Sequence, residues 1–280
     1  MPEFKIDAYS PQEMSEKVKT VGVKKANLDT VSTFVLALLA GAFIAFGAVF
    51  YTLVVHDSSL SLGLTKLIGG LVFSLGLILV VVAGAELFTG NNLIVMAYVS
   101  KEISLYKLLR NWTIVYLGNF IGALSMVMWI YFTRQWAGNN FLIGAKALLI
   151  ANAKVNLPFV VALTRGIMCN VLVCLAIWLC FSGRSVTDKI LAIIFPITAF
   201  VALGFEHSVA NMYFVPMGIV LKSVPEVVQN APNVNFANLT WFGFIINNLL
   251  PVTIGNIIGG AVLVAAIYWF IYERGKWAKN

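Results

Sequence analysis

Two short stretches carry the residues able to do chemistry. GFEHSVANM, residues 204–212, sets Glu206, His207 and Asn211 inside a strongly apolar run, and GAELFTGNN, residues 84–92, sets Glu86 and Asn91 at matching positions of another. A carboxylate in such surroundings is costly unless it is paired or hydrogen-bonded. Interrupting a helix there frees backbone N–H and C=O groups that Glu and Asn side chains can satisfy. Glu86, Glu206, Asn91 and Asn211 are therefore expected to brace broken backbone rather than to touch a ligand. His207 is different: it stands where the first stretch has Leu87, and the only other histidine is His56. An imidazole without a counterpart, set among apolar residues, can donate a proton or a charge-assisted hydrogen bond to an anion, or attract it as a cation. No metal-ligand pair, Ser/His/Asp set or nucleotide motif accompanies it, so no enzyme, cofactor or metal site is expected. Cys169, Cys174 and Cys180 fall in one apolar run and read as packing residues.

The surroundings of these residues follow from composition. The chain is 60% hydrophobic and 11% charged, with a mean hydropathy of +0.90. One water-soluble core of 280 residues cannot hide that much apolar surface, so the lipid bilayer is its main solvent. The formal charge of +7 does not indicate nucleic acid, because the basic residues lie between apolar runs rather than in one stripe. The charged N-terminus lacks a short apolar core with a cleavage site, and the first span is expected to serve as its own targeting signal.

A span needs about 20 mostly apolar residues to cross roughly 30 Å of hydrocarbon. Runs near residues 31–55, 67–99, 106–133, 158–182, 190–221 and 243–272 meet that length, separated by polar stretches such as HDSSLSLG, SKEIS and SGRSVTDK. The second and fifth are overlong and interrupted by AELFTGNN and FEHSVANM, with breaks expected at about residues 85–92 and 205–212. Lys and Arg concentrate in the N-terminal segment, the second-to-third and fourth-to-fifth loops and the C-terminus, which predicts that both termini are cytoplasmic. Before the first span, Ser10, Pro11 and Glu13 form the signature of a capped helix, with Met14, Val18 and Val21 at helical spacing, expected to rest on the membrane or a neighbouring subunit. The chain is thus expected to divide into a cytoplasmic N-terminal helix (1–30), a six-span membrane domain (31–272) and a cytoplasmic tail (273–280).

The two halves repeat each other. LALLAG at 36–41 resembles VALTRG at 161–166, GAELFTGN at 84–91 resembles GFEHSVAN at 204–211, and NWTIVYLGNFIG at 111–122 resembles NLLPVTIGNIIG at 248–259. Each half holds three spans, an odd number, so the second copy enters the membrane from the opposite side. The expected fold class is an all-α membrane protein of six spans in two inverted three-span repeats, its two interruptions facing each other across a pore.

GAELFTGNN, GFEHSVANM, VPMGIV and PVTIGNIIGG resemble the formate–nitrite transporter family, and its bacterial formate channels in particular, from the first span to the sixth. That resemblance implies a homopentamer of aquaporin-like protomers in the bacterial inner membrane, one pore in each protomer, passing formate and similar small monovalent anions. It implies His207 as the central residue, Thr89 and its neighbours as the loop beside it, Asn170 as a polar partner on the fourth span, and Lys154 as a basic vestibule residue. It also implies Phe73, Leu77, Phe88 and Phe200 as apolar constrictions on either side of the histidine. Most of the 20 phenylalanines are packing or lipid-facing residues, but Phe73 and Phe200 stand just before the interruptions, as a pore lining would. Such rings exclude hydrated ions, so a weak acid would pass as an anion drawn in by basic residues and given a proton near His207. A nitrite or hydrosulfide pore of the same family remains open, as does an aquaporin-type channel for neutral solutes, although neither GNN nor ANM supplies the NPA motif which the latter uses.

Overall fold

Several helix starts in this chain are set by side-chain oxygens. The computed structural model describes residues 9–277; residues 1–8 and 278–280, which include the outer parts of both expected cytoplasmic segments, lie outside the described residues. In α1 (Pro11–Ala26) Ser10 accepts the Glu13 N–H at 3.3 Å and the Glu13 carboxylate accepts the Ser10 N–H at 2.8 Å, the capping box predicted from the sequence. Asp29 caps α2 (Thr30–Val55) and Ser61 caps α3 (Leu62–Ala83). After a non-helical stretch the chain makes a tight 3-10 turn, Gly90–Ile94, and the single-turn α4 (Val95–Val99). Ser104 caps α5 (Leu105–Thr133). Then come α6 (Leu142–Val155), α7 (Phe159–Cys180) and α8 (Val186–Ala202), the last begun by a second capping box between Ser185 and Asp188. His207 caps α9 (Ser208–Leu221), followed by the short α10 (Pro225–Gln229) and the long α11 (Trp241–Tyr272). The described residues contain helices and no strand.

Five of these helices, α2, α3, α5, α7 and α11, are long and apolar enough to cross a bilayer. The chain is an integral membrane protein. Helices in lipid gain little from hydrophobic attraction to one another and rely on close backbone approach. Two crossings show this. A Cβ on Gly122 of α5 would lie 2.1 Å from the Leu38 carbonyl of α2, and one on Gly259 of α11 would lie 2.2 Å from the Ile167 carbonyl of α7. α11 also departs from regular α geometry, with wider π turns at Phe244–Leu249 and Ile258–Ala266. Pro251 lacks the N–H that would close the regular ladder just after the first of them.

Several boundaries differ from the sequence expectation, each for a local reason. The second run begins at Leu62 rather than residue 67, and the fifth at Val186 rather than 190, because Ser61 and Ser185 start their helices inside stretches that read as loops. The second interruption is shorter than 205–212: capping by His207 makes Ser208 the first helical residue. α6 has no counterpart among the six predicted runs, being 14 residues long and too short for a span. The fifth run is divided between α8, of 17 residues, and α9, of 14.

The N-terminal helix also sits differently from the expectation. Its buried stripe packs on this chain itself: Met14 and Val18 join a cluster with Leu93, Met96, Trp178 and Val264, and Gly22 lies against Ile94 and Ala97. Polar contacts fix its depth. Gln12 Nε2 donates to the Tyr272 carbonyl at 2.8 Å, Ser15 Oγ donates to the buried Glu273 at 2.9 Å, and Lys19 Nζ lies 3.0 Å from Glu102 and 3.4 Å from Glu273. Burial alone would lower the Lys19 pKa; Glu102 and Glu273 outweigh it and raise the pKa above the ordinary 10.5. A raised lysine stabilises the docked helix fully below its unfolded value, and that contribution is lost as pH rises through the folded value. Hydrogen exchange of α1 amides should thus report tight docking at neutral pH and a loosening as pH rises above 10.5, and Lys19→Ala should remove that alkaline step.

Candidate functional site

Both helix breaks begin at a glycine in the left-handed region, Gly84 with φ of 84° and Gly204 with φ of 71°, a conformation a side chain would resist. Beyond them the backbone turns to neighbouring helices. Glu86 N–H donates to the Leu36 carbonyl of α2, and Glu206 N–H to the Arg165 carbonyl of α7, both at 3.2 Å. Two fully buried asparagines satisfy most of what remains. Asn119 of α5 donates to the carbonyls of Ala37 and Glu86 at 2.8 and 2.9 Å and accepts the Phe88 N–H at 2.9 Å. Asn256 of α11 donates to the carbonyls of Gly166 and Glu206 at 2.8 and 3.0 Å and accepts the Ser208 N–H at 2.9 Å.

The two carboxylates at the breaks, both buried, are each neutralised by a lysine from the end of a short helix. Lys25 Nζ, in the last turn of α1, lies 2.7 Å from Glu86 and 3.0 Å from Asn91 Oδ1. Asn91 Nδ2 donates to Glu86 at 2.6 Å and to Asn111 Oδ1 at 2.9 Å. Lys154 Nζ, in the last turn of α6, lies 3.0 and 3.1 Å from the two oxygens of Glu206. Asn211 Nδ2 donates to Glu206 and to Asn248 Oδ1, both at 2.7 Å. The arrangements differ in detail: Lys154 takes both carboxylate oxygens, Asn248 Nδ2 also reaches Glu206 at 3.3 Å, and the buried Asn211 Oδ1 has no partner among the described residues.

At the end of the second break lies His207, 3% exposed and facing the first. Its Nδ1 accepts the Ala210 N–H at 3.0 Å, which places the ring hydrogen on Nε2; that N–H donates to Thr89 Oγ1 at 3.0 Å. Asn170 Nδ2 holds the Thr89 carbonyl at 3.2 Å, Asn92 Oδ1 at 2.8 Å and the Asn256 carbonyl at 2.7 Å. The imidazole stacks on Phe200 with centroids 5.9 Å apart, Phe73 meets Phe200 edge-on at 5.7 Å and stacks on Phe214 at 6.4 Å, and Lys154 Nζ lies 5.3 Å from the Phe214 ring. Leu77, buried, is one turn along α3 from Phe73. Phe88 is turned to α5, 4.8 Å from Tyr116 and 6.1 Å from Trp112. On the α1 side a cavity of about 610 Å³ ends on Glu86, Leu87 and Asn91. Lys17, Lys24, Lys25 and Lys189 line it, and Glu86 is the only carboxylate among the described residues that do.

His207, Thr89, Asn170, Phe73 and Phe200 are therefore brought together, with Lys154 joined to them through Glu206 and Phe214. Leu77 and Phe88 flank the group without a polar contact to it. Glu86, Glu206, Asn91 and Asn211 lie in the two braces. Sequence reasoning passed over Lys25, Asn92, Asn111, Asn119, Asn248 and Asn256. A signal existed for most of them: Asn111 and Asn119 align with Asn248 and Asn256 in the third matched motif, and KANL at 25–28 repeats as KVNL at 154–157.

Fold and site define an all-helical integral membrane protein whose polar centre is held between two interrupted helices. The family model for the formate/nitrite transporter matches residues 12–270, and the chain belongs to that family. It is 45% identical over 274 residues to the formate channel FocA of Escherichia coli strain K12, covering 96% of each chain. It is 40% identical to a probable formate transporter of Methanothermobacter thermautotrophicus, covering 95% of this chain and 97% of that one. Among solved structures it matches a pentameric formate channel with formate bound, with a TM-score of 0.81 and 46% identity over 87% of this chain and 97% of that chain. An FNT family ion channel matches with a TM-score of 0.79 and 28% identity over 92% and 98%.

Removing one partner of a buried ion pair strands the other charge and costs about 3–5 kcal/mol. Lys154→Ala should lower the Tm of the detergent-solubilised protein markedly, and adding Glu206→Gln should recover part of the loss. Lys25→Ala should cost less, because the Lys25 side chain is 27% exposed against 15% for Lys154.

Proposed function

We propose that this protein is a membrane channel for formate and similar small monovalent anions, working as a homopentamer in the bacterial cytoplasmic membrane with one pore in each protomer. It is not an enzyme. The observation that carries the reading is the His207–Thr89 pair between two apolar groups, in a chain similar to a pentameric formate channel with formate bound. Within the protomer, α2 to α5 and α7 to α11 form two inverted three-span repeats in an aquaporin-like arrangement, with the second and fifth spans broken and both termini cytoplasmic. The paired braces Lys25–Glu86–Asn91–Asn111 and Lys154–Glu206–Asn211–Asn248 support the repeat. The distribution of Lys and Arg supports the orientation.

Lysines around the inner cavity raise the local concentration of anions. Phe73, Leu77, Phe88 and Phe200 act as constrictions that a hydrated ion does not cross. At the centre, Nε2–H of His207 and the hydroxyl of Thr89 stand 3.0 Å apart and offer two donors. With Nε2–H already bonded to Thr89 Oγ1, the Thr89 hydrogen is directed elsewhere, and a small carboxylate can replace the mutual bond with one from each group. Delivery of a proton from Nε2 to that carboxylate requires Nδ1 to take one up. That uptake breaks the Ala210 cap bond, so the proton-linked step loosens the first turn of α9. The neutral acid then passes the second constriction.

Proteoliposome flux tests this reading. His207→Phe keeps a ring and removes both nitrogens; it should abolish or reshape formate flux while the pentamer, measured by native mass, persists. His207→Asn keeps a side-chain oxygen to cap α9 but cannot titrate. Its flux should lose the pH dependence of the unmodified protein; unchanged formate flux at every pH, inward and outward, would remove His207 from the mechanism.

A further inference from the structure

Asn256 is linked to both halves of the central pair through their neighbours. Its side chain grips the backbone on either side of His207, accepting the Ser208 N–H at 2.9 Å and donating to the Glu206 carbonyl at 3.0 Å, with a second donation anchoring it to Gly166 of α7. Its own carbonyl accepts Asn170 Nδ2 at 2.7 Å, and the same Nδ2 holds the Thr89 carbonyl at 3.2 Å. One residue of α11 is therefore bonded to the residues on both sides of His207 and, through Asn170, linked to the carbonyl of Thr89, although His207 and Thr89 belong to different helix breaks. The approach is close. Gly260, one turn further along α11, has no side chain, and a Cβ there would lie 2.4 Å from Asn170 Nδ2.

We infer that Asn256 is the positioning residue that fixes the tautomer of His207 and its register against Thr89. The inference rests on the proposed role of His207. Ser208 is the first residue of α9, and holding its N–H sets where the Ala210 N–H points two residues on. That N–H must face Nδ1 for the ring hydrogen to stay on Nε2, directed at Thr89. Without Asn256 the Glu206 carbonyl and the Ser208 N–H lose their buried partners, the start of α9 shifts to find others, and the ring is free to carry its hydrogen on either nitrogen. Asn119 makes the equivalent three bonds around Leu87, where there is no tautomer to set.

Nitrogen NMR of 15N-histidine-labelled protein in lipid reads the tautomer directly. The unmodified protein should show His207 as a single Nε2–H tautomer, and Asn256→Ala should show a mixture. In proteoliposomes Asn256→Ala should lower formate flux about tenfold, the loss expected for about 1.4 kcal/mol of misplaced hydrogen bonding, and should shift its pH profile. Adding Asn256→Ala to His207→Asn should leave the pH profile of the single histidine variant unchanged. Should Asn256→Ala fail to assemble, Asn256→Asp keeps the acceptor for Ser208 and nearly the same volume, and should disturb the tautomer through loss of the donor to Glu206. An Nδ1–H ring in the unmodified protein overturns the inference. So does an assembled Asn256 variant with the wild-type tautomer and a uniformly reduced flux. The tautomer readout involves no transport, so a His207 variant with normal formate flux would remove His207 from the proposed mechanism while the tautomer measurement still decides whether Asn256 sets the ring.

Discussion

A polypeptide interrupted where water is scarce must find partners inside itself for every peptide group the interruption releases. This constraint explains the choice of asparagine around both breaks. A carboxamide carries a donor and an acceptor on one rigid plane, as a peptide group does, and can take the place of a missing turn. Asn119 and Asn256 do so for the backbone. Asn91, Asn211 and Asn248 do so for the carboxylates, with Asn111 holding Asn91, and each carboxylate then needs only one cation. The glycine contacts belong to the same solution: the asparagines reach across helix pairs only because α2 meets α5, and α7 meets α11, at backbone distance.

Much of this was legible in the sequence and some was not, for physical reasons. Charged and amide residues in apolar runs announced the breaks, since nothing else makes such placements affordable in lipid. Glu13, three residues after Ser10, announced the start of α1. Loop-like composition concealed the starts of α3 and α8, because serine both ends a polar stretch and caps the helix that follows. Length concealed α6, as a largely apolar helix of 14 residues resembles neither a span nor a loop. The lysine partners were hidden because side-chain reach brings Lys25 to a carboxylate 61 residues away, and no local pattern records that. Family resemblance offered Lys154 as a vestibule cation; its geometry ties it to Glu206.

The internal match is close enough that its departures stand out, and they cluster. Leu87 is answered by His207, Thr89 by Val209, and the satisfied Asn91 Oδ1 by the unpartnered Asn211 Oδ1. Residues that hold the breaks are shared between the halves, whereas the two groups that meet at the centre are contributed singly, one from each half. A symmetric scaffold therefore presents an asymmetric pair, with an imidazole N–H on one wall and a hydroxyl on the other.

The order of residues along the chain gives the two braces a consequence for biogenesis. Lys25 precedes Glu86 and Lys154 precedes Glu206, so in each half the ribosome completes the ammonium group before the carboxylate it will neutralise. Each acidic break thus reaches the membrane after its counter-ion has been made, and no later segment has to be synthesised before that charge can be covered.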